Sequence, residues 1–224
     1  MVRNEKRDAL FGTGFLVAFA LWTMLIQIID VQSIGPHGSK VGFATINAAF
    51  HNLSGVHMML YTFTDWLGLV PIFICMGFAA LGLKQWISRR SILRVDGDIL
   101  LLGVYYIIVI LAYLLFEMVP INYRPVLIEG VLEASYPSST TLLVMSVMPT
   151  LRFQTEYRIN RALIRRAFCM FADVFTLLMV LGRLVSGVHW LTDIAGSVML
   201  SAGLFLLYRA GAMMLQKGMR SQRR

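Results

Sequence analysis

The sequence is poor in charge. Of its 224 residues only 14% are Asp, Glu, Lys or Arg, against 58% hydrophobic. A soluble domain carries about 25% charged and about 45–50% apolar residues, and a globule of this size could not cover its surface with so few charges. The shortage excludes a soluble enzyme, a disordered tail and a nucleic-acid binder, even though Lys and Arg outnumber Asp and Glu by 20 to 12. Cysteine is scarce as well. Cys75 and Cys169 both fall inside apolar runs, so they read as packing residues and no disulfide is expected. Internal repeats and low-complexity segments are lacking. The class left is a polytopic membrane protein.

Long apolar runs are what the sequence has in abundance. Asp8 to Asp30 encloses 21 uncharged residues, and Asp65 to Lys84, Asp98 to Glu117 and Glu133 to Arg152 enclose 18 each. Arg166 to Arg183 encloses 16, interrupted only by Asp173, and Asp193 to Arg209 encloses 15, which reaches a sufficient length if the span starts at His189. About 20 residues of helix cross a bilayer core. Six transmembrane helices are therefore expected, near 9–30, 65–83, 98–119, 137–151, 166–183 and 189–208. Open strands are not viable in lipid, so the fold class is all-α, a polytopic membrane helix bundle forming a single membrane domain over 1–224. Arg3, Lys6 and Arg7 precede the first run as in a signal peptide, but the run is long for one, and it reads as an uncleaved anchor.

Six spans put both termini on one side. The segments on that side hold 17 of the 20 basic residues, so the positive-inside rule sets both termini in the cytoplasm of a multi-pass cell-membrane protein. Topology thus accounts for the net positive charge, and the lipid bilayer is the partner it implies. The three basic residues on the opposite side are Lys40, Arg124 and Arg183, which topology leaves unexplained. The long outer loop, about 31–64, holds His37, His51 and His57, and residues 41–50 read as a short amphipathic helix at the interface.

The outer ends of the spans carry the chemistry. Arg124 and Arg183 offer planar forks suited to phosphate oxygens. Pro137, Ser138, Ser139 and Thr140 form a helix start whose free N–H groups and dipole favour an anion. His189 and Asp193 are four apart on one helix face, so a carboxylate on Nδ1 fixes the tautomer and frees Nε2 as nucleophile or base. Each piece alone also has an ordinary reading, as a snorkelling Arg, a plain cap or a surface His. Gathered on one face they make a phosphate-handling site on the extracytoplasmic side. Two acids remain elsewhere: Asp65, readable as an N-cap of the second span, and Asp173, mid-span in the fifth and expected to face the bundle.

In order and spacing these residues resemble the type 2 phosphatidic acid phosphatase (PAP2) superfamily, the integral-membrane lipid phosphatases. The family pattern is K-x6-R-P, then P-S-G-H, then S-R-x5-H-x3-D. Here the pieces read Glu117 with Arg124-Pro125, then Pro137-Ser138-Ser139-Thr140, then Gly182-Arg183 with His189 and Asp193. The resemblance implies a PAP2-like core about 98–208 and a lipid phosphate substrate, such as a phosphatidic acid-type glycerophospholipid phosphate or undecaprenyl diphosphate. It further implies a phosphohistidine formed on His189 and oriented by Asp193. Arg124, Arg183, Ser138, Ser139 and Thr140 would bind phosphate, with no metal or cofactor.

Gly182 in place of Ser is a minor departure. Glu117 stands where the pattern has Lys, and Thr140 where it has the His that protonates the leaving group. A threonine hydroxyl is too weak an acid for that step, and general acid catalysis is typically worth ~10²–10⁴-fold. Three explanations stay open. A diphosphate substrate needs little help in departing; Glu117, His51 or His57 supplies the proton; or the protein is a catalytically weak or inactive lipid-phosphate binding or transport protein. A phosphotransferase that passes the phosphoryl group to another lipid is a further alternative. Glu117 can also serve structurally, by pairing with Arg124 or Arg183.

Overall fold

The structure, a computed structural model, describes residues 5–221. Arg3, Arg223 and Arg224, counted above for the charge asymmetry, lie outside the described residues. The chain folds into α1 (Glu5–Ile28), α2 (Ala44–Ser54), α3 (Met58–Leu67), α4 (Leu69–Arg89), α5 (Gly97–Met118), α6 (Ser139–Arg158), α7 (Ala162–Val185) and α8 (Leu191–Ser221). Only isolated bridges stand in for strands among the described residues.

Among the described residues five helices are long and apolar enough to cross a membrane: Glu5–Ile28, Met58–Arg89 (α3 continuing into α4), Gly97–Met118, Ala162–Val185 and Leu191–Lys217. The expected sixth, α6, is long enough but too polar to join them. Its position explains why. It packs against α4, α5, α7 and α8 and buries Thr140, Thr141, Ser146, Thr150, Gln154 and Thr155. A helix surrounded by helices need not be apolar toward lipid, and some of its polar groups find partners inside. Thr150 donates to the Val147 carbonyl at 2.7 Å, and its oxygen lies 2.7 Å from the Tyr106 hydroxyl.

Several boundaries move outward from the charges that marked them in the sequence. The second span begins at Met58, so Asp65 lies inside α3 rather than capping a helix. Its carboxylate is 3.4 Å from Arg183. α6 runs past Arg152 to Arg158 because both charges are paired. Arg152 meets Asp173 of α7 and, at 3.2 Å, Glu156. Asp173 therefore faces the bundle as expected, on the α6 side of α7, where it lines a cavity with residues of α6 and α8 and stays half exposed. Cys75 and Cys169 are both free.

Two apolar clusters hold the bundle. Phe19, Ile99, Leu102, Tyr136, Leu142 and Tyr208 join α1, α5, α6 and α8. Val144, Met148, Ala172, Phe175 and Met179 join α6 to α7. α1 lies antiparallel along α8 at close range. A Cβ on Gly12 would come within 3.0 Å of the Gly203 carbonyl, and small residues at such crossings let helix backbones approach. At one end Asp8 accepts two hydrogen bonds from Arg209 (2.7 and 2.8 Å) and Glu5 pairs with Lys217. At the other, Trp22 donates to the Thr192 carbonyl, and Thr23 and Tyr136 share a 2.7 Å hydrogen bond. The start of α1 and the end of α8 thus lie together, and the candidate site sits at the opposite end.

Candidate active site

The segment between α5 and α6 is a small antiparallel hairpin. The Ile128 and Val131 backbones exchange hydrogen bonds (2.8 and 3.1 Å), and Glu129 and Gly130, both with positive φ, make the two-residue turn. Further along, the Arg124 amide donates to the Glu133 carbonyl and the Ser135 amide to the Asn122 carbonyl. This ladder fixes Arg124 and Ser135 relative to each other. The Trp190 indole clips the hairpin to the start of α8 by donating to the Tyr123 carbonyl at 2.8 Å.

His189 lies just before α8, in the short turn after α7, and is 3% exposed. The turn is held from outside by the α2–α3 link, where the His57 amide donates to the Ser186 carbonyl at 2.9 Å. Gly187 has φ +71°, and a Cβ there would stand 1.9 Å from the Gly55 carbonyl oxygen. Only glycine fits. Gly187→Ala is expected to destabilise the protein by about 2 kcal/mol or more, since positive φ and a backbone clash combine. Thermal unfolding in detergent measures this, and an unchanged transition would contradict the packing described.

The ring of His189 is fixed by a relay rather than by direct contact with Asp193. Nδ1 is 3.9 Å from the nearer Asp193 oxygen, too long for a hydrogen bond. Ser135 stands between them, its hydroxyl donating to that carboxylate and its oxygen 3.1 Å from Nδ1. Because the serine proton goes to Asp193, the serine oxygen accepts from Nδ1–H. Nε2 is left with a free lone pair, buried and without a hydrogen-bond partner. The Asp193 carboxylate, 0% exposed, also accepts from the Asn122 side chain at 3.1 Å and the Trp190 amide at 2.9 Å. The last of these bonds is half of a capping box at the start of α8, so Asp193 anchors the helix as well as the ring. Burial, with the charges of Arg124 and Arg183 nearby, holds the His189 imidazole well below its ordinary pKa.

His189 and Arg124 line one cavity of about 240 Å³, together with Glu117, Glu133, Ser135 and Ser139. Arg124 is 7% exposed. Its Nε lies 3.0 Å from a Glu133 oxygen, but the N–H is not aimed at that oxygen, so the contact is ionic, and Nη1 has no hydrogen-bond partner. Arg183, 1% exposed, reaches the Tyr61 carbonyl, Thr64 and Asp65, each at 3.4 Å, and its Nε is unpartnered. The two guanidinium groups meet at Tyr61, whose ring centre is 4.8 Å from the Arg183 carbon and 5.6 Å from that of Arg124. Such stacking holds a planar cation without neutralising it.

The remaining candidates divide. The amides of Ser139 and Thr140 open α6, where no carbonyl of their own helix can receive them. The Ser138 hydroxyl is turned away, donating to Thr141 at 3.1 Å. Thr140 lines a neighbouring, largely apolar cavity with Asp65, Leu69 and Ile72. Glu117 lies on the wall of the His189 cavity. His51 packs on Trp190 with ring centres 5.5 Å apart, and burial lowers its pKa; His57 bonds the Ser54 carbonyl through Nε2. Neither lines the cavity. Ser135, Glu133, Asn122 and Tyr61 were not singled out from the sequence. The Glu-Gly turn pairs Ile128 with Val131, but the register then shifts by two residues, so that Tyr123 faces Ala134 and Arg124 faces Glu133, a shift the turn alone does not signal.

The arrangement defines a class: an all-helical membrane bundle with a buried imidazole, two guanidinium groups and a helix start at one end. The model of the PAP2 superfamily matches residues 100–216, just over half the chain, and the chain belongs to that superfamily. It is similar to the crystal structure of the first transmembrane PAP2-type phosphatidylglycerolphosphate phosphatase from Bacillus subtilis. The likeness covers 95% of this chain and 97% of that one, with a TM-score of 0.63 and 16% identity, so the fold is shared. Comparison with curated proteins gives no match.

Proposed function

We propose that the protein is a membrane phosphatase of lipid phosphates or prenyl diphosphates that works through a phosphohistidine. The observation that carries this reading is the His189 ring, with Nδ1 engaged by the Ser135–Asp193 relay and Nε2 unpartnered in a cavity shared with Arg124. Membership of the superfamily supports it. Nε2 attacks phosphorus, the bridging oxygen leaves with its electron pair and takes a proton, and water then cleaves the N–P bond. Arg124, Arg183 and the Ser139 and Thr140 amides hold the non-bridging oxygens, and Asp193 acts on the ring through Ser135. Of the three auxiliary acids considered, Glu117 is the one on the cavity wall. The concentration of basic residues at the far end of the bundle supports an extracytoplasmic site with both termini in the cytoplasm.

The test is phosphate release from a panel that includes phosphatidic acid and undecaprenyl diphosphate, in micelles, with rapid acid and alkaline quenches for a phosphoenzyme. Release from at least one lipid with an acid-labile, alkali-stable phosphoenzyme is expected. No release from any lipid would overturn the reading. One observation favours a second reading, a lipid-phosphate binder without turnover: Thr140 faces the neighbouring cavity, leaving no imidazole to protonate a leaving alkoxide. Lipid binding without release at any pH would establish it.

Ser135→Ala breaks the relay while leaving Arg124, Arg183 and the amides of Ser139 and Thr140 in place. Removing such a supporting hydrogen bond typically costs ~10–100-fold in activity, so kcat is expected to fall by that factor with KM little changed. A variant indistinguishable from wild type would remove Ser135 from the mechanism. The pH profile provides a further check. With its pKa held well below the ordinary His value of about 6.5, the His189 ring stays neutral as pH falls through that value. No loss of kcat/KM from protonation of His189 is expected there, and a His189 imidazole that titrates near 6.5 by NMR would contradict this.

A further inference from the structure

A cavity of about 530 Å³, larger than the one at His189, lies between α7 and α8 over α6, toward the end of the bundle that holds the α1–α8 clasp. Its size is within the range of sites that hold small organic ligands. Leu177, Val180 and Val198 give it an apolar end, and Arg152, Asp173 and Arg209 a polar one. The Arg152 and Asp173 side chains are 46% and 52% exposed, and Leu177 is exposed as well, so the cavity opens sideways toward lipid. Asp173 stands eleven residues after Ala162, the start of α7, about 16 Å along the helix, and so at membrane depth. Hydrocarbon chains alone cannot satisfy the open side of an ion pair there.

Two features of the wall select the occupant. First, its charges are already paired: Arg152 meets Asp173 and Glu156, and Arg209 meets Asp8. A charged headgroup of either sign would have to displace one of these partners. A hydroxyl donates to the carboxylate and accepts from the guanidinium without disturbing the pair. Second, Pro149 has no N–H, so α6 cannot form the hydrogen bond from that residue to the Met145 carbonyl. Met145 and Pro149 both line the cavity, and this gap in the backbone ladder adds an acceptor to its wall, one that suits a hydroxyl donor and disfavours an anion. We propose that the cavity is a second lipid site, for an uncharged lipid alcohol such as diacylglycerol, with its hydroxyl at Arg152 and Asp173 and its chains along Leu177, Val180 and Val198. The site stands apart from the phosphatase reading, and either can fail without the other.

A diacylglycerol with a diazirine in one acyl chain tests this in nanodiscs that hold the full-length protein. After irradiation, peptide mass spectrometry is expected to place the label on the α7 and α8 lining. Unlabelled diacylglycerol should remove that label at about tenfold lower concentration than its 3-O-methyl ether, which lacks the donor. It should show the same advantage over the chain-matched phosphonate, which is charged and cannot be hydrolysed. Tenfold is the scale of one hydrogen bond to a charged group. Combining Arg152→Leu with Asp173→Leu removes cation and acid together. The label should then persist, while the preference over the methyl ether falls by about threefold or more. The wild-type comparison decides by itself if the double variant does not fold. Label absent from this lining, equal displacement by the three competitors, stronger displacement by the phosphonate, or a preference unchanged in the double variant would each overturn the inference.

Discussion

His189→Ala is expected to abolish phosphate release, by roughly 10⁴-fold or more, the scale seen when a nucleophile is removed. The argument is geometric. Val188 and Trp190, the flanking residues, are 0% and 3% exposed, so the ring cannot be replaced by a neighbour swinging in. The same variant should unfold close to the wild-type temperature, because the ring has one hydrogen-bond partner and leaves an existing cavity slightly larger. Asp193→Asn is expected to behave differently. That carboxylate accepts from Ser135, Asn122 and the Trp190 amide, so activity and thermal stability should fall together. Phosphate release and calorimetry on the two variants separate a reacting group from its anchor. Residual turnover in His189→Ala within a few-fold of wild type would end the phosphohistidine proposal.

Arg158→Ala is expected to give the largest loss of stability, about 3–5 kcal/mol, the cost of leaving a buried charge without its partner. Asp98 is 0% exposed and receives two hydrogen bonds from Arg158, at 2.8 and 2.9 Å. The remaining donors, Gln154 at 3.2 Å and Gln216 at 3.4 Å, are neutral. Arg158 also bonds Asp96 at 2.9 Å and the Gln154 side-chain oxygen at 2.7 Å, so one side chain ties the start of α5 to the end of α6. Adding Asp98→Asn to Arg158→Ala removes the stranded charge and should recover a large part of the loss. A fall in the unfolding midpoint that the second change does not relieve would assign the cost to packing instead.

The parts of the fold legible in the sequence were those set by one dominant force. α5, expected over 98–119 and found over Gly97–Met118, is an uninterrupted apolar stretch in which burial in lipid leaves no competing choice. α7 likewise includes its expected span of 166–183, while α8 begins at Leu191, two residues after the expected start at His189, and runs past the expected end at 208. Where charges are paired across helices, the same reading stopped too early. Arg152 looked like the end of α6, yet Asp173 accepts it, and Asp65 looked like a start, yet Arg183 holds it inside α3. Pairing is a property of two distant segments, and a run of uncharged residues does not report it. The site shows the same limit. Residue type and spacing mark Arg124, Arg183, His189 and Asp193 as candidates, but Ser135 is an ordinary hydroxyl until the hairpin places it between ring and carboxylate. Six spans were expected from length alone, and α6 fell short because a helix packed on all sides is free to be polar.

The clasp between the first and last helices has a consequence for synthesis in the cell. Asp8 and Arg209 are 201 positions apart, so a nascent chain carries the acid near the bilayer long before its cation leaves the ribosome. Until then α1 has no lasting neighbour along its glycine-bearing face. Completion of the bundle therefore waits on translation of α8, and chains halted before Arg209 should linger as open, protease-sensitive species held by the insertion machinery.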